Sequence, residues 1–264
     1  MTTEPVGIVG VFDRAADTYD AVGVPWFGPI ADGLVAELAP RPGERALDIG
    51  CGRGAVTRPL AQAVGANGTV LAVDLAPQMV AKTAQDFADL PQVSVQVGDA
   101  AALDVPGDWD LIASSLVLFF LPDPAGAATS WVQLLRPGGR LGVTTFGAQD
   151  ERWKAVDAVF SSYLPPALLD ARTSGARGPF ASDEGMETLL TDAGLSDVRT
   201  ATTTVSVTFD DPEQWHAFSW SHGQRAMWEA VPEDQRDAVK AQCVALIDGW
   251  TWTQQVRYTL GQKC

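Results

Sequence analysis

The sequence predicts an α/β protein built on a doubly wound, mostly parallel sheet. Three observations predict it. Between residues 45 and 146 short β-rich runs alternate with helical stretches, the pattern of parallel strands covered by helices. The first run ends in an acid followed by glycines at 50, 52 and 54, the turn chemistry of a strand that feeds a ligand-binding loop. A chain of 264 residues is also long enough to bury one large core and carry appended helices.

Strands are expected at 45–49, 69–74, 93–97, 109–114 and 140–146, with helices at 55–64, 77–88 and 126–135, each closed by Gly, Pro or Asn within a few residues. Beyond Phe146 the rhythm changes. A helix over 150–169 is interrupted by Pro165 and Pro166, and 171–180 reads as a loop. A helix over 183–193 precedes a strand at 198–209. Helices at 212–231 and 233–250 follow, and a last strand at 251–260 is expected to pair with 198–209. The whole of 1–264 is therefore expected to be one domain. Its parts are cap helices in 1–44, a cofactor-binding core in 45–146, helical lid insertions in 151–182 and 212–250, and a final strand segment in 251–264.

Composition narrows the function classes. The formal charge of −15, from 33 acids against 18 bases, repels phosphate backbones and anionic lipid, and no basic block interrupts it. Nucleic acid and membrane partners are not expected. The three cysteines, Cys51, Cys243 and Cys264, have neither disulfide nor zinc spacing. The longest apolar run, 111–121, is too short to cross a bilayer. A cytoplasmic protein, monomer or homodimer, without a metal is the expectation.

Chemistry should gather at the carboxyl ends of the strands. There the glycine loop frees backbone N–H groups for a ligand. Asp74 ends the second strand and can accept from ribose hydroxyls. Asp99, between Gly98 and Ala100, can accept from an amino group. Gly50-x-Gly52-x-x-Ala55 also satisfies a permissive dinucleotide fingerprint. Against that reading stand Asp48, two residues before the first glycine, and the closing strand pair.

Four segments in this order, Leu47-Asp-Ile-Gly-Cys-Gly-Arg-Gly54, Asp74 followed by Met79, Gly98-Asp99-Ala100, and Leu135-Arg-Pro-Gly-Gly-Arg-Leu141, resemble the motifs of class I S-adenosylmethionine-dependent methyltransferases. The resemblance implies a seven-stranded Rossmann-like sheet with its last strand antiparallel, S-adenosyl-L-methionine as cofactor, and transferase activity. By the same resemblance Asp48, Gly50, Cys51, Gly52 and Gly54 shape the methionine end. Asp74 and Leu75 take the ribose side, and Met79, Gly98, Asp99 and Ala100 the adenine. Ser115 and Leu116 border the sulfonium. Phe12 and Tyr19, in a segment resembling the family's N-terminal one, close over the cofactor.

For the acceptor the residues say less. The histidines, His216 and His222, both fall in the 212–231 helix and are the candidate general bases, because imidazole titrates near neutral pH. His222 is favoured by its polar neighbours. Five of nine tryptophans, at 215, 220, 228, 250 and 252, crowd the last quarter. Trp26, Phe119, Trp215 and Trp220 are the candidate walls for a small, largely apolar acceptor, with a secondary-metabolite hydroxyl as the expected nucleophile. Transfer to carbon or nitrogen, a rearrangement or cyclisation on the same fold, and mere sensing of the cofactor are the alternatives.

Overall fold

The computed structural model of the protein describes residues 7–165, 177–247 and 249–264. Its sheet has strands β1 Arg45–Ile49, β2 Thr69–Asp74, β3 Val93–Val97, β4 Trp109–Ser115, β5 Leu135–Gln149, β6 Leu195–Thr208 and β7 Thr251–Lys263. They lie in the order β3-β2-β1-β4-β5-β7-β6. β7 runs antiparallel to both β5 and β6, and the other pairs are parallel. The seven-stranded α/β fold expected from the sequence is thus present. Its central strands are apolar on both faces, as a parallel sheet covered on two sides requires.

Helices α1 Gly7–Ala15, α2 Phe27–Leu38, α3 Thr57–Val64, α4 Pro77–Asp86 and α5 Pro124–Leu134 accompany the first five strands. α6 Glu151–Val159, α7 Asp183–Asp192, α8 Pro212–Trp220, α9 Arg225–Ala230 and α10 Arg236–Leu246 follow. One sheet face packs Ala46, Leu111 and Ala113 against Ile30, Leu34 and Leu38 of α2. The other packs Leu47, Ile112 and Leu141 against Trp131 of α5 and Met186 of α7. Asp123, Asp150, Ser182 and Asp211 each cap the helix they precede by accepting from one of its first N–H groups, worth about 1 kcal/mol apiece.

The later part of the chain departs from the expected elements. The helix expected over 150–169 ends at Val159, and residues 166–176, which include part of the 151–182 segment, lie outside the described residues. The helix expected over 212–231 is broken between Trp220 and Arg225. The hydroxyls of Ser219 and Ser221 bond back to the carbonyls of His216 and Phe218, and the N–H of Gln224 turns to His222 Nδ1. Side chains there compete with the helical ladder, and Gly223 weakens it further. The expected 233–250 helix is a short 3₁₀ turn followed by α10, which stops at Leu246.

β6 and β7 pair from Leu195 opposite Lys263 to Thr208 opposite Thr251, with one register shift between Ser196 and Arg199. Because β6 ends and β7 begins at the edge where the parallel strands finish, helices α8 to α10 leave and rejoin the sheet at its carboxyl edge.

Candidate active site

At the end of β1 the backbone is held before any side chain contributes. The N–H groups of Gly50 and Cys51 both donate to Val73 O, at 2.8 and 2.9 Å, and Gly54 N donates to Cys51 O at 2.8 Å. Gly50 (φ 74°) and Gly54 (φ 81°) occupy the left-handed region, where a β-carbon would meet Val117 Cγ2 at 2.3 Å and Phe87 Cε2 at 2.4 Å. Gly52 (φ 50°) differs, since its nearest neighbour would be Tyr19 Cε1 at 3.7 Å. A β-carbon there would make only an ordinary contact with Tyr19, so nothing else crowds the Gly52 backbone within 4 Å.

Two acids frame the loop. Asp74 accepts from Gly52 N at 2.8 Å and Ala76 N at 2.9 Å, and its burial raises the carboxyl against those bonds. Asp48 is buried, accepts from Thr57 Oγ1 at 2.6 Å through Oδ2, and leaves Oδ1 without a partner. Burial, with Asp74 adding to it against the Thr57 hydroxyl, pushes its carboxyl up to about 7. The Cys51 thiol is also buried and pushed up, which keeps it protonated and unreactive.

Past β2 and β3, Leu75 and Val97 expose 41% and 52% of their surface, unusual for large apolar side chains beside a glycine loop. Asp99 is exposed and accepts from Ala101 N, Gly98 N donates to Asp74 O, and the Ala100 carbonyl accepts from Trp131. Met79 is buried with Ala16 and Ala76 and packs under α1. At the end of β4, half-buried Ser115 precedes Leu116, which holds a φ of 60°. A leucine in that region is strained and needs its surroundings to hold it there. The bond from its N–H to Thr144 O contributes.

The segment containing α1 lies across this edge. Asp13 accepts from Gln78 N at the start of α4, Asp17 pairs with Lys82, and Arg53 of the glycine loop donates to Ala16 O. On its other flank Arg14 pairs with Glu229 of α9. Phe12 meets Phe120 edge-on at 5.7 Å, and Tyr19 stacks on Phe27 at 4.5 Å. Tyr19 is half-buried near Asp20 and Asp74, and desolvation raises its phenol well above the usual range, so it stays neutral.

From Tyr19 a line of rings continues away from the glycine loop. Phe27 meets His222 at 6.0 Å, His222 meets Phe218 at 4.4 Å, and Phe218 meets Trp252 at 5.8 Å. His222 is the histidine brought into this line, with Nδ1 accepting from Gln224 N at 3.2 Å. That bond puts the hydrogen of the neutral ring on Nε2. His216 lies elsewhere. Its Nε2 accepts from Trp220 Nε1 at 3.0 Å, and burial lowers its pKa.

The expected walls divide similarly. Trp26 is fully buried in a stack on Trp252, with centroids 4.3 Å apart. Phe119 turns into the opposite core, against Phe146 and Phe180. Trp215 is buried beside Trp228 and Trp250. Trp220 packs near Trp228 with the guanidinium groups of Arg225 and Arg236 over its ring. Trp26, Phe119 and Trp215 are thus buried among other rings, and Trp220 is half-buried. The rings in the line, Phe27 and Phe218, and Phe120 against α1 escaped sequence reasoning, although Phe27 directly follows Trp26 and Phe218 lies four residues before His222. Among the described residues no group of three or more His, Cys, Asp or Glu could hold a metal, and no helix is long and apolar enough to cross a membrane.

A seven-stranded sheet with β7 reversed, a glycine loop closing β1 and an acid closing β2 define a nucleoside-cofactor enzyme, and sequence comparison says which. The chain belongs to the class I S-adenosylmethionine-dependent methyltransferases. Residues 46–139 match the family described as methyltransferase domain. Nocamycin O-methyltransferase from Saccharothrix syringae is 38% identical over 248 residues, covering 89% of this chain and 88% of that one. Aklanonic acid methyltransferase DauC from Streptomyces sp. strain C5 is 36% identical over 166 residues, 62% of this chain and 76% of that one. In fold the chain is similar to the solved Haemonchus contortus phosphoethanolamine N-methyltransferase 2, in complex with phosphomonomethylethanolamine and S-adenosylhomocysteine. The TM-score is 0.61 at 16% identity, over 98% of this chain and 60% of that one.

S-Adenosylmethionine is the cofactor, and the residues fit it. Tyr19 alone stands within 4 Å of where a Gly52 β-carbon would be, the buried Asp48 Oδ1 lacks a partner, and Leu75 and Val97 expose apolar surface for a flat base. When bound, it supplies an electrophilic methyl and its own leaving group.

Proposed function

We propose that the protein is an O-methyltransferase acting on a small, flat, largely apolar metabolite whose oxygen ionises without help from the enzyme. The observation that carries this reading is the line of rings from Tyr19 to Trp252, which starts over Gly52 and carries a single imidazole. Tyr19, Phe27 and Trp252 keep part of their ring surface exposed, with Phe218 and His222 buried behind them, and such surface suits a planar acceptor. His216 is engaged by Trp220, Tyr19 is held neutral, and His222 Nδ1 is already an acceptor. Among the described residues of the ring line no ready base stands, so the nucleophile is best an acidic oxygen such as an enol, phenol or carboxylic acid. The names of the two relatives, one an O-methyltransferase and one acting on an acid, support the same class.

In this reading Asp74 and the Gly52 backbone hold the ribose and methionine portions, Asp48 takes a polar group of the cofactor, and Asp99 lies toward the adenine amine. Residues 1–44 cap the 45–146 core, and 151–182 and 212–250 form the lid. With Phe12 and Tyr19 they exclude water while the acceptor oxygen is lined up behind the methyl carbon, work that positioning alone can make worth several kcal/mol. His222 steadies the acceptor.

The test is incubation with methyl-labelled S-adenosylmethionine and a panel of polycyclic enols, phenols and carboxylic acids, followed by product analysis. Label on oxygen is expected. Label on carbon or nitrogen, or a rearranged product without label, would sink the reading.

A further inference from the structure

We infer that the indole N–H of Trp252 sets the orientation of the acceptor by donating a hydrogen bond to a ring carbonyl oxygen of a flat, polycyclic ketone. The inference rests on the reading above that the ring wall receives a small planar acceptor.

Five other tryptophans place their N–H on a partner. Trp109 donates to Pro106 O, Trp131 to Ala100 O, Trp153 to Thr251 O, Trp220 to His216 Nε2 and Trp228 to Ser219 Oγ. Trp252 Nε1 is buried and has no hydrogen-bond partner, in a ring that is otherwise half-exposed. A buried indole N–H ordinarily finds one, because leaving it unmade forfeits its hydration for nothing.

Position gives that donor a use. Trp252 lies opposite Val207 at the start of β7, on the carboxyl edge of the sheet. Its ring is fixed by the stack on Trp26, 15° from parallel, and by the edge contact with Phe218. It ends the line of rings that begins over Gly52, so it would meet the end of the acceptor remote from the methyl donor.

The chemistry of the donor selects the ligand group. An indole N–H can only donate, so the partner must bring a lone pair. A carbonyl oxygen does so without adding a hydrogen that would need its own partner among apolar rings, as a hydroxyl would. A carboxylate at this end would lose its hydration with only one neutral donor in return. Planarity follows from Tyr19, Phe27 and Trp252, the rings of the line that keep part of their surface exposed, with Phe218 and His222 buried behind them.

The test is calorimetric titration of the S-adenosylhomocysteine-loaded protein with 1-tetralone and with tetralin, bicyclic probes that differ by one carbonyl oxygen. The native protein should favour tetralone by about tenfold, the scale of one hydrogen bond made or left unmade. Trp252→Phe should bind both probes alike, with unchanged affinity for S-adenosylhomocysteine. A chain carrying benzothienylalanine at 252, with sulfur in place of N–H, keeps the ring shape and should lose the preference too; it decides the matter if the phenylalanine variant fails to fold. No preference in the native protein, no binding of either probe, or a preference that survives loss of the N–H would overturn the inference. Because no methyl is transferred in this assay, its failure is distinct from failure of the O-methylation reading, which the labelled-methyl experiment judges separately.

Discussion

The two halves of the site are made of different material. The cofactor half is backbone: three glycines at positive φ, two N–H groups on Val73 O, and an acid fixed by the amides of Gly52 and Ala76. The proposed acceptor half is side chain. Tyr19, Phe27, Phe218, His222 and Trp252 come from the α1–α2 connection, α2, α8, the α8–α9 turn and β7, and meet only through packing. The first half is set within a few residues of β1 and β2, whereas the second exists only once the chain has closed its last strand. Damage should therefore separate cleanly. Changes in the first half should cost cofactor binding, and changes in the second should cost acceptor handling while cofactor binding persists.

The sharpest break comes from the glycines themselves. Gly50→Ala combines a left-handed φ with a β-carbon 2.3 Å from Val117 Cγ2. Strain and overpacking together should cost about 3–5 kcal/mol, visible in thermal melting and in loss of S-adenosylhomocysteine binding. Gly52→Ala meets nothing closer than 3.7 Å, so strain alone, about 1–2 kcal/mol, is expected. Equal losses from the two substitutions would show that the loop is not held from behind as described.

Asp48 ties the same half to pH. Its carboxyl rises from the ordinary 3.8 to about 7 because it is buried. Below 3.8 folded and unfolded chains both carry the proton. Between 3.8 and 7 the folded chain keeps a proton that the unfolded chain releases, so stability falls as pH rises through this window. The full effect is on the order of 4 kcal/mol. Asp48→Asn, neutral throughout, should gain stability relative to the native chain as pH climbs from 4 to 7. A constant difference between the two melting curves would remove the assignment.

Asp74 should give a smaller loss, confined to binding. Asp74→Ala removes the acceptor for two backbone N–H groups and the proposed ribose contact. Affinity for S-adenosylhomocysteine should fall about 10- to 100-fold. Unchanged affinity would take the ribose role away from Asp74.

The same contrast explains what could be read from the sequence. Gly50, Gly52, Gly54, Asp74 and the β-rich runs to Phe146 announce themselves because their work depends on local backbone geometry, which residue type and spacing encode. The fold, including the reversed last strand, followed from those motifs in order. The proposed aromatic wall did not. Trp26 and Phe119 look alike in sequence to Phe27 and Phe120, and only long-range packing decides that Trp26 stacks on Trp252 while Phe27 reaches His222. The break after Trp220 was hidden for a related reason. It depends on Ser219, Ser221 and His222 bonding to their own backbone, a choice a periodic apolar pattern does not display.

The two histidines provide the finest division, since they sit six residues apart and both are candidate bases in the sequence, His222 favoured only by its polar neighbours. His222 belongs to the ring line, between Phe27 and Phe218. His216 accepts from Trp220 away from that line. His222→Phe should lower kcat/KM about tenfold for an acceptor found in the labelled-methyl screen, with cofactor affinity intact. His216→Phe strands the indole N–H of Trp220, so it should lower the melting temperature through a loss of about 1–2 kcal/mol and leave kcat/KM within about twofold. The reverse pattern would move the acceptor to the Trp220 side of the helical insertion. Equal losses in kcat/KM would mean that the inserted helices act on the acceptor as one body, and the boundary between the two halves of the site would then lie at α1 rather than at the ring line.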